Sequence, residues 1–481
     1  MKTLIELVRD AIFAVIFHLA PRFANVLLFI VIGRLAGPAE AGVFSLATTY
    51  LLILTTFTRG LDDLVVRQVS REPDQTPRYL TNFLLVRLAL SLLLYAALVV
   101  VVLTIFHYSA STTSSILLLG ASVMPDSLTL VAQAILLGRR RFAAPAITMS
   151  VVSIFKLIGG GLVLAGGGGL QQIAWVWLSG SLLGMAVLLT AAIIEIGGLQ
   201  WSDWLDYYLV VRHWRSAVSF LFITTVAALE SQSDTVLLSA FHGEAEVGWY
   251  GAATTIAFSI LVLSQAYRFS VYPLMARYAL QSPEKLTKLY ERSMRYIGAL
   301  ILPVVIGISL LSPQIVAMVF GSRFGPTARV LEILVVALIF IFLNEPGVRM
   351  MLVHDRQRWV SLFLVLSTVA NLAVNAILVP VWGASGAALA RLCSSMILFL
   401  TTYYYVNRFI VKLDIIFLLT RPVLATIVMA LVVWMTQALI IPVPILLGAI
   451  TYCGSLWLVG GILPEDAALV LQAIAGRVQS G

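Results

Sequence analysis

The chain has 481 residues, 60% of them apolar and only 11% charged, with a formal net charge of +8 and a mean hydropathy of +0.99. Soluble domains carry about 25% charge, so this composition excludes a soluble globular protein and points to the bilayer. Apolar runs of 18 or more residues recur. Each is long enough to cross about 30 Å of hydrocarbon as a helix, and none shows the polar/apolar alternation of a membrane barrel.

The opening MKTLIELVRD is too polar for a signal-peptide core, and no small-residue cleavage site follows the first apolar run. The N-terminus is expected to be retained. Hydrophobic runs set against charged or Gly/Pro breaks predict an all-α polytopic protein of fourteen membrane helices, at roughly 11–35, 43–66, 79–106, 114–137, 144–166, 170–195, 216–240, 247–271, 294–311, 328–348, 360–380, 384–405, 418–437 and 441–462. With the N-terminus inside, 22 Lys and Arg residues fall in cytoplasmic segments and three, Arg34, Arg323 and Arg329, fall outside. That bias fixes the orientation and puts both termini in the cytoplasm.

The phrase GPAEAGVFSLATT at 37–49 returns as GEAEVGWYGAATT at 243–255, with seven of thirteen positions identical. Each copy joins the first and second helices of a six-helix block. Because six is even, both blocks enter the membrane from the same side, and the repeat is parallel, with its pseudo-twofold axis along the membrane normal. Gly166 and Gly169 are echoed by Gly383 and Gly386 at the turn between the fifth and sixth helices. The expected organisation is an N-terminal lobe at 1–200, an interfacial linker rich in Trp and Tyr at 201–215, a C-terminal lobe at 216–406, two extra helices at 407–463 and a cytoplasmic tail at 464–481. Repeats of this kind are transporter architecture. Taken singly, the repeated residues also fit a plain turn followed by close helix packing.

Three segments carry a more specific likeness: GRLAGPAEAGVFSLA, SDTVLLSAFHGEAEVGWYGAA and NLAVNAILVPVWGASGAALA. They resemble the signature segments of bacterial polysaccharide flippases, the Wzx-type transporters of lipid-linked O-antigen, in the superfamily that also holds the multidrug and toxic compound extruders and the lipid II flippases. The resemblance implies a V-shaped pair of six-helix bundles that moves an undecaprenyl-pyrophosphate-linked oligosaccharide across the bacterial inner membrane by alternating access. It further implies a monomer among membrane lipids, serving polysaccharide biosynthesis beside a polymerase and chain-length proteins.

A charge at mid-membrane costs at least about 2.5–3.5 kcal/mol, so such residues face a bundle interior or a wet cavity. Arg22 beside Pro21, Lys156 and Arg391 lie near the middles of their helices, while Arg59, Arg87 and Arg268 lie nearer the cytoplasmic ends, where long side chains snorkel. Two readings stand for Arg22, Lys156 and Arg391: ion pairs with acids such as Asp62, Asp63 or Asp126, or a cationic cavity for a pyrophosphate or acidic sugar, with Arg87 as a further candidate. In the second block Glu230 and Asp234 share one helix face, as do Asn371 and Asn375. A carboxylate with two amides suits a small cation or a proton, and equally an interhelical hydrogen-bond network. Asp234, Asn371 and Asn375 match, by motif, a sodium site of the lipid II flippases, except that Asn375 stands where that pattern has a second acid.

No catalytic motif is present: the five His residues lack metal-ligand spacing, Cys393 and Cys453 sit alone in predicted helices, and there is no Walker sequence. The expectation is therefore no enzyme and no cofactor, with Na+ or H+ as coupling ion. The basic residues form no continuous face, which excludes nucleic acid as a partner. The competing reading within the same superfamily is an ion-coupled drug or metabolite antiporter. The parallel repeat makes a direct prediction: a topology reporter fused after His242 reads as external and one after Lys285 as cytoplasmic, and the opposite pattern removes the parallel arrangement.

Overall fold

The computed structural model describes residues 4–59, 62–106, 108–198 and 225–461. The expected linker at 201–215 and the tail at 464–481 lie outside the described residues. Among the described residues there is no strand. The helices in chain order are α1 (Leu4–Leu35), α2 (Pro38–Arg59), α3 (Asp62–Arg71), α4 (Thr76–Thr104), α5 (Ala110–Gly120), α6 (Val123–Gly138), α7 (Ala143–Ala165), α8 (Leu170–Glu195), α9 (225–241), α10 (Glu244–Ser259), α11 (Leu261–Gln281), α12 (Pro283–Leu310), α13 (Ser312–Phe320), α14 (Thr327–Val353), α15 (Gln357–Phe409), α16 (Ile415–Thr436) and α17 (Pro442–Leu458).

Ten helical stretches among the described residues are long and apolar enough to span a bilayer. The four other expected crossings fall on α1, on α9, on the 17-residue α17 and on the second arm of α15, which forms one 53-residue stretch with the first. Three expected helices are each built from two. The segment expected at 43–66 ends at Arg59, and α3 follows as a separate amphipathic helix. The one at 114–137 is α5 plus α6, and the one at 247–271 is α10 plus the start of α11.

By contacts the chain forms two compact units, residues 1–252 with 375–387, and 253–374 with 388–481. In the first, α1 packs along α7, α7 along α8, and α6 against α3, α4 and α8. Val65, Val69, Tyr79, Leu80, Phe83, Val131 and Ile135 form its core at the α3 end. In the second, α12 packs on α14 and α16, and α16 on α17; Met429, Val433 and Tyr452 fill the last seam, and the Tyr452 hydroxyl donates to the Ala299 carbonyl at 2.6 Å.

The unit boundaries differ from the repeat boundaries because one end of the second repeat makes its contacts with the first. The two copies of the repeated phrase touch each other. Gly37, at φ +100°, ends α1, and Pro38 starts α2, where its missing N–H costs nothing. One turn on, Gly42 lies against the backbone carbonyl of Glu244 so closely that a Cβ would overlap it, and Gly248 lies in the same way against the carbonyl of Pro38. Gly248 is the counterpart of Gly42, and Glu244 of Pro38, so the contact is reciprocal. One turn further, Ser45 meets its own counterpart: a Cβ at Gly251 would lie 3.1 Å from the Ser45 Cβ.

Side chains fasten the same end. The Thr112 hydroxyl donates to Glu244 at 3.0 Å, and the Tyr108 hydroxyl lies 3.0 Å from that of Tyr50 and 2.8 Å from that of Ser239. The second phrase also holds the break in α15. Gly383 adopts φ +51°, ψ −130°, a conformation that L side chains rarely reach, and splits the helix into two arms. Glu246 accepts the Ala384 N–H at 2.9 Å, and His242 Nε2 donates to the Val379 carbonyl at 2.8 Å. Backbone groups freed by the break are thereby satisfied inside the protein, as a membrane requires.

If the two phrases meet at Ser45 and Gly251, then Ser45→Cys with Gly251→Cys, in a background with Cys393 and Cys453 replaced by Ala, forms a disulfide under mild oxidation, because the Cβ separation is near the disulfide range. Thiol titration of membranes reads the outcome; two titratable thiols after oxidation would show that the turns are apart.

Candidate functional site

The polar side chains inside the helices fall into two groups. In the first unit, Arg22 follows Pro21 in α1, thirteen residues before the helix ends, or about 20 Å along its axis. It is exposed and, among the described residues, makes no ion pair. Lys156 on α7 turns toward α8: its Nζ donates to the Ser181 hydroxyl at 2.9 Å and lies 4.3 Å from the centre of the Trp177 ring. Gly180 makes room for the lysine stem, which passes 3.0 Å from where a Cβ would stand. Asp126, the acid expected to pair with Lys156, acts on it electrostatically without a direct ion pair among the described residues.

Arg87 has a different setting from the headgroup level suggested by its place in the sequence. It is 1% exposed and forms an ion pair with Asp62, the first residue of α3. Arg391 is 4% exposed and belongs to the second unit, so Arg22, Lys156 and Arg391 do not gather within one unit. The Arg391 carbonyl accepts from the Ser394 hydroxyl at 3.0 Å. Ser394 ties the two arms of α15 together, its carbonyl accepting from Ser367 at 2.9 Å and its hydroxyl from Asn371 Nδ2 at 3.4 Å.

The second group centres on Asp234 of α9, which is 1% exposed. Asn375 Nδ2 donates to Asp234 Oδ1 at 2.8 Å, and the Tyr250 hydroxyl donates to Oδ2 at 2.6 Å. Asn371 lies one turn before Asn375 and is fully buried; Glu230 lies one turn before Asp234 and is half-buried. A buried carboxylate that takes hydrogen bonds from a phenol and an amide is a hard-oxygen setting for a small cation or a proton.

Tyr250 was not singled out in the sequence, yet the repeat contains the signal. At an offset of 206 residues its counterpart is Phe44, and the counterpart of Asp234 is Leu28. The second copy gains a hydroxyl and a carboxylate together. Asn371 and Asn375, at the offset of 217 that relates Gly166 to Gly383, correspond to Ile154 and Ile158. The polar layer is thus a property of the second repeat alone.

A family model described as polysaccharide biosynthesis protein matches residues 31–329. Among curated proteins, the probable low-salt glycan biosynthesis flippase Agl15 of Haloferax volcanii is 24% identical over 414 residues, covering 82% of each chain. Among solved structures, the chain is similar to the lipid II flippase MurJ in an inward closed conformation, with a TM-score of 0.73 and 17% identity over 92% of this chain and 98% of that one. It is also similar to a multidrug resistance MATE family transporter of the MOP superfamily in an inward-facing conformation, at a TM-score of 0.67 and 15% identity over 80% and 93% of the two chains. A MOP superfamily transporter from Pyrococcus furiosus follows at 0.58 and 14%, over 83% and 94%. At these identities the solved structures speak for the fold alone.

The Asp234 geometry can be tested without assigning an activity. Tyr250→Phe leaves a buried carboxylate short of a donor and lowers unfolding free energy by about 1–3 kcal/mol, whereas Tyr250→Phe with Asp234→Leu and Asn375→Ile puts in the apolar residues that the first repeat carries at these positions and recovers most of the loss. Thermal unfolding in detergent measures both; additive losses would mean that the three side chains are not coupled.

Proposed function

The chain belongs to the polysaccharide biosynthesis protein family, and from that premise we propose that it is a flippase for a lipid-linked glycan. The substrate is an undecaprenyl-pyrophosphate-linked oligosaccharide, carried from the inner to the outer leaflet of the bacterial inner membrane for O-antigen or another surface polysaccharide. The motion is alternating access, and the reciprocal contact of α2 with α10 is its outer gate. Small residues at such a crossing let the helices close tightly without an interlock of side chains that would have to be undone at each cycle.

The observation that carries this reading is Arg22. An exposed guanidinium about 20 Å from the end of an apolar helix is costly against hydrocarbon and stable against water or an anion. A pyrophosphate supplies that anion, and guanidinium meets it with a bidentate fork. Lys156, held by Ser181 and Trp177, is the second cation of the first repeat, more confined than Arg22 and suited to act as a fixed point charge. Arg87, already paired with Asp62, serves the bundle itself. Asp234, Tyr250 and Asn375, with Glu230 one turn before Asp234, form the coupling site for Na+ or H+; Asn371, one turn before Asn375 on the same helix, is bound to Ser394. Cation entry down an inside-negative potential releases about 2.3 kcal/mol per charge per 100 mV. The likeness to Agl15, whose name is that of a glycan flippase, supports the same substrate class.

The test combines loss of the gene with rescue by variants. Without the protein, a lipid-linked oligosaccharide accumulates in the inner leaflet; Arg22→Lys restores part of the surface glycan, and Arg22→Ala and Lys156→Ala restore none at unchanged membrane abundance. Full glycan export by Arg22→Ala sinks the anion-binding role. Absence of any accumulated lipid-linked sugar in the deletion, together with sensitivity to a toxic compound, shifts the assignment to an antiporter.

A further inference from the structure

α16 lies outside the two six-helix repeats, and two cavities open beside its first turns. One, of about 120 Å³, is lined by Arg295 of α12, by Phe417, Leu418, Arg421 and Pro422 of α16, and by Gly461 beyond α17. The other, of about 660 Å³, holds Arg408 and Lys412, together with Tyr403, Tyr404 and the α16 cap Asp414. Packing of α12 on α16 thus brings two guanidinium groups to one small cavity, with no acidic side chain among its lining residues. Arg295 makes no ion pair among the described residues, and Arg421 gives one Nη1–H to the Gly460 carbonyl. Two arginines lining one cavity repel, and an anion between them turns the arrangement favourable.

The surroundings indicate which anion. Ile416 is 79% exposed, Phe417 70% and Tyr404 67%, all beside the basic residues at the start of a span. Large apolar and aromatic side chains next to Arg and Lys mark the level of lipid headgroups. From Phe417 the exposed face continues through Leu424, Ile427, Leu431 and Trp434, at helical spacing, as an apolar strip along the length of α16. A phosphate above and an apolar strip below is the outline of a phospholipid.

We propose that this end of α16 binds an anionic phospholipid, its phosphate seated between Arg295 and Arg421, its acyl chains along the strip, and Arg408 and Lys412 drawing further anionic headgroups to the opposite flank. The site goes beyond the flippase reading, since it lies on the extra helices and needs no glycan. It would tie those helices to an anionic leaflet, which attracts each Lys or Arg near its surface by about 1 kcal/mol.

The purified full chain in detergent, titrated with phosphatidylglycerol or phosphatidylcholine and read by native mass spectrometry and thermal unfolding, tests this without any transport assay. Phosphatidylglycerol is expected to be retained and to stabilise, phosphatidylcholine not. Arg295→Gln with Arg421→Gln lowers retention about tenfold or more, while Arg356→Gln with Arg358→Gln, exposed basic residues elsewhere, leaves it unchanged. If the double variant does not fold, each single variant reports the same loss at smaller amplitude. Equal retention of the two lipids overturns the proposal, as does equal stabilisation by inorganic phosphate, which would make the cavity a site for a free anion. A third overturning result is a loss of stability in Glu465→Gln with Asp466→Asn that matches the arginine double variant, with no effect of phosphatidylglycerol, since tail carboxylates then fill the cavity. A failure of glycan export in the Arg22 variants leaves all of these outcomes untouched, so the two readings fail separately.

Discussion

Where Gly42 faces the carbonyl of Glu244 and Gly248 faces that of Pro38, two helix N-termini meet through backbone alone. No side chain can be added to either position without forcing the helices apart, and everything else at that end of the first unit is arranged around this distance. Tyr50, Tyr108 and Ser239 join hydroxyls across the same end, Thr112 reaches Glu244, and Glu246 reaches the N-terminus of the second arm of α15. The last contact couples α10 to the α15 turn: the carboxylate also stands 2.8 Å from where a Cβ on Gly383 would lie. The hydrogen bond from the Ala384 N–H thus fixes the position of the turn against α10, and the missing side chain of Gly383 leaves room for the carboxylate.

The two repeats share a backbone plan and divide the chemistry. The first keeps Leu28, Phe44, Ile154 and Ile158 where the second has Asp234, Tyr250, Asn371 and Asn375. In the first, Leu28 packs into the space left by Gly160, an apolar contact between α1 and α7. In the second, the equivalent helices are joined by the hydrogen bond from Asn375 to Asp234. Apolar packing holds in any ionic condition, whereas a buried carboxylate responds to whatever cation or proton reaches it. Arg22 and Lys156 of the first repeat lie elsewhere on the same scaffold, so these cations and the Asp234 carboxylate are carried by different helices of one fold.

Much of this was legible in the sequence, and the gaps have physical causes. Hydropathy alone located the ten stretches that are long and apolar enough to span, because the hydrocarbon imposes length and composition. It merged α2 with α3, α5 with α6 and α10 with α11, because an average over apolar residues does not register a break of one or two residues such as Ala121–Ser122 or Ile260; Gly120 and Pro125 beside the first, read singly, are too common in membrane helices to mark it. α3 was recognisable in retrospect from its charge: DDLVVRQVSR alternates acids and arginines with Val at helical spacing, the pattern of a surface helix. The Asp62–Arg87 pair was invisible without that fold-back. Tyr250 was hidden for a different reason: it stands in a phrase read for its identities, and its significance lies in a difference from Phe44.

A surface that meets its own copy across a twofold is the geometry of an isologous dimer. In a homodimer of half-length chains every substitution appears twice, so an acid placed at the position of Asp234 would appear in both halves, and a glycine lost from the crossing would be lost on both sides. Joining the halves in one chain releases that constraint. Each side of the crossing keeps the glycine that the other side's carbonyl demands, while positions a few turns away change independently. Carrying both phrases on one chain thus keeps the crossing symmetric while the charges around it differ from one copy to the other.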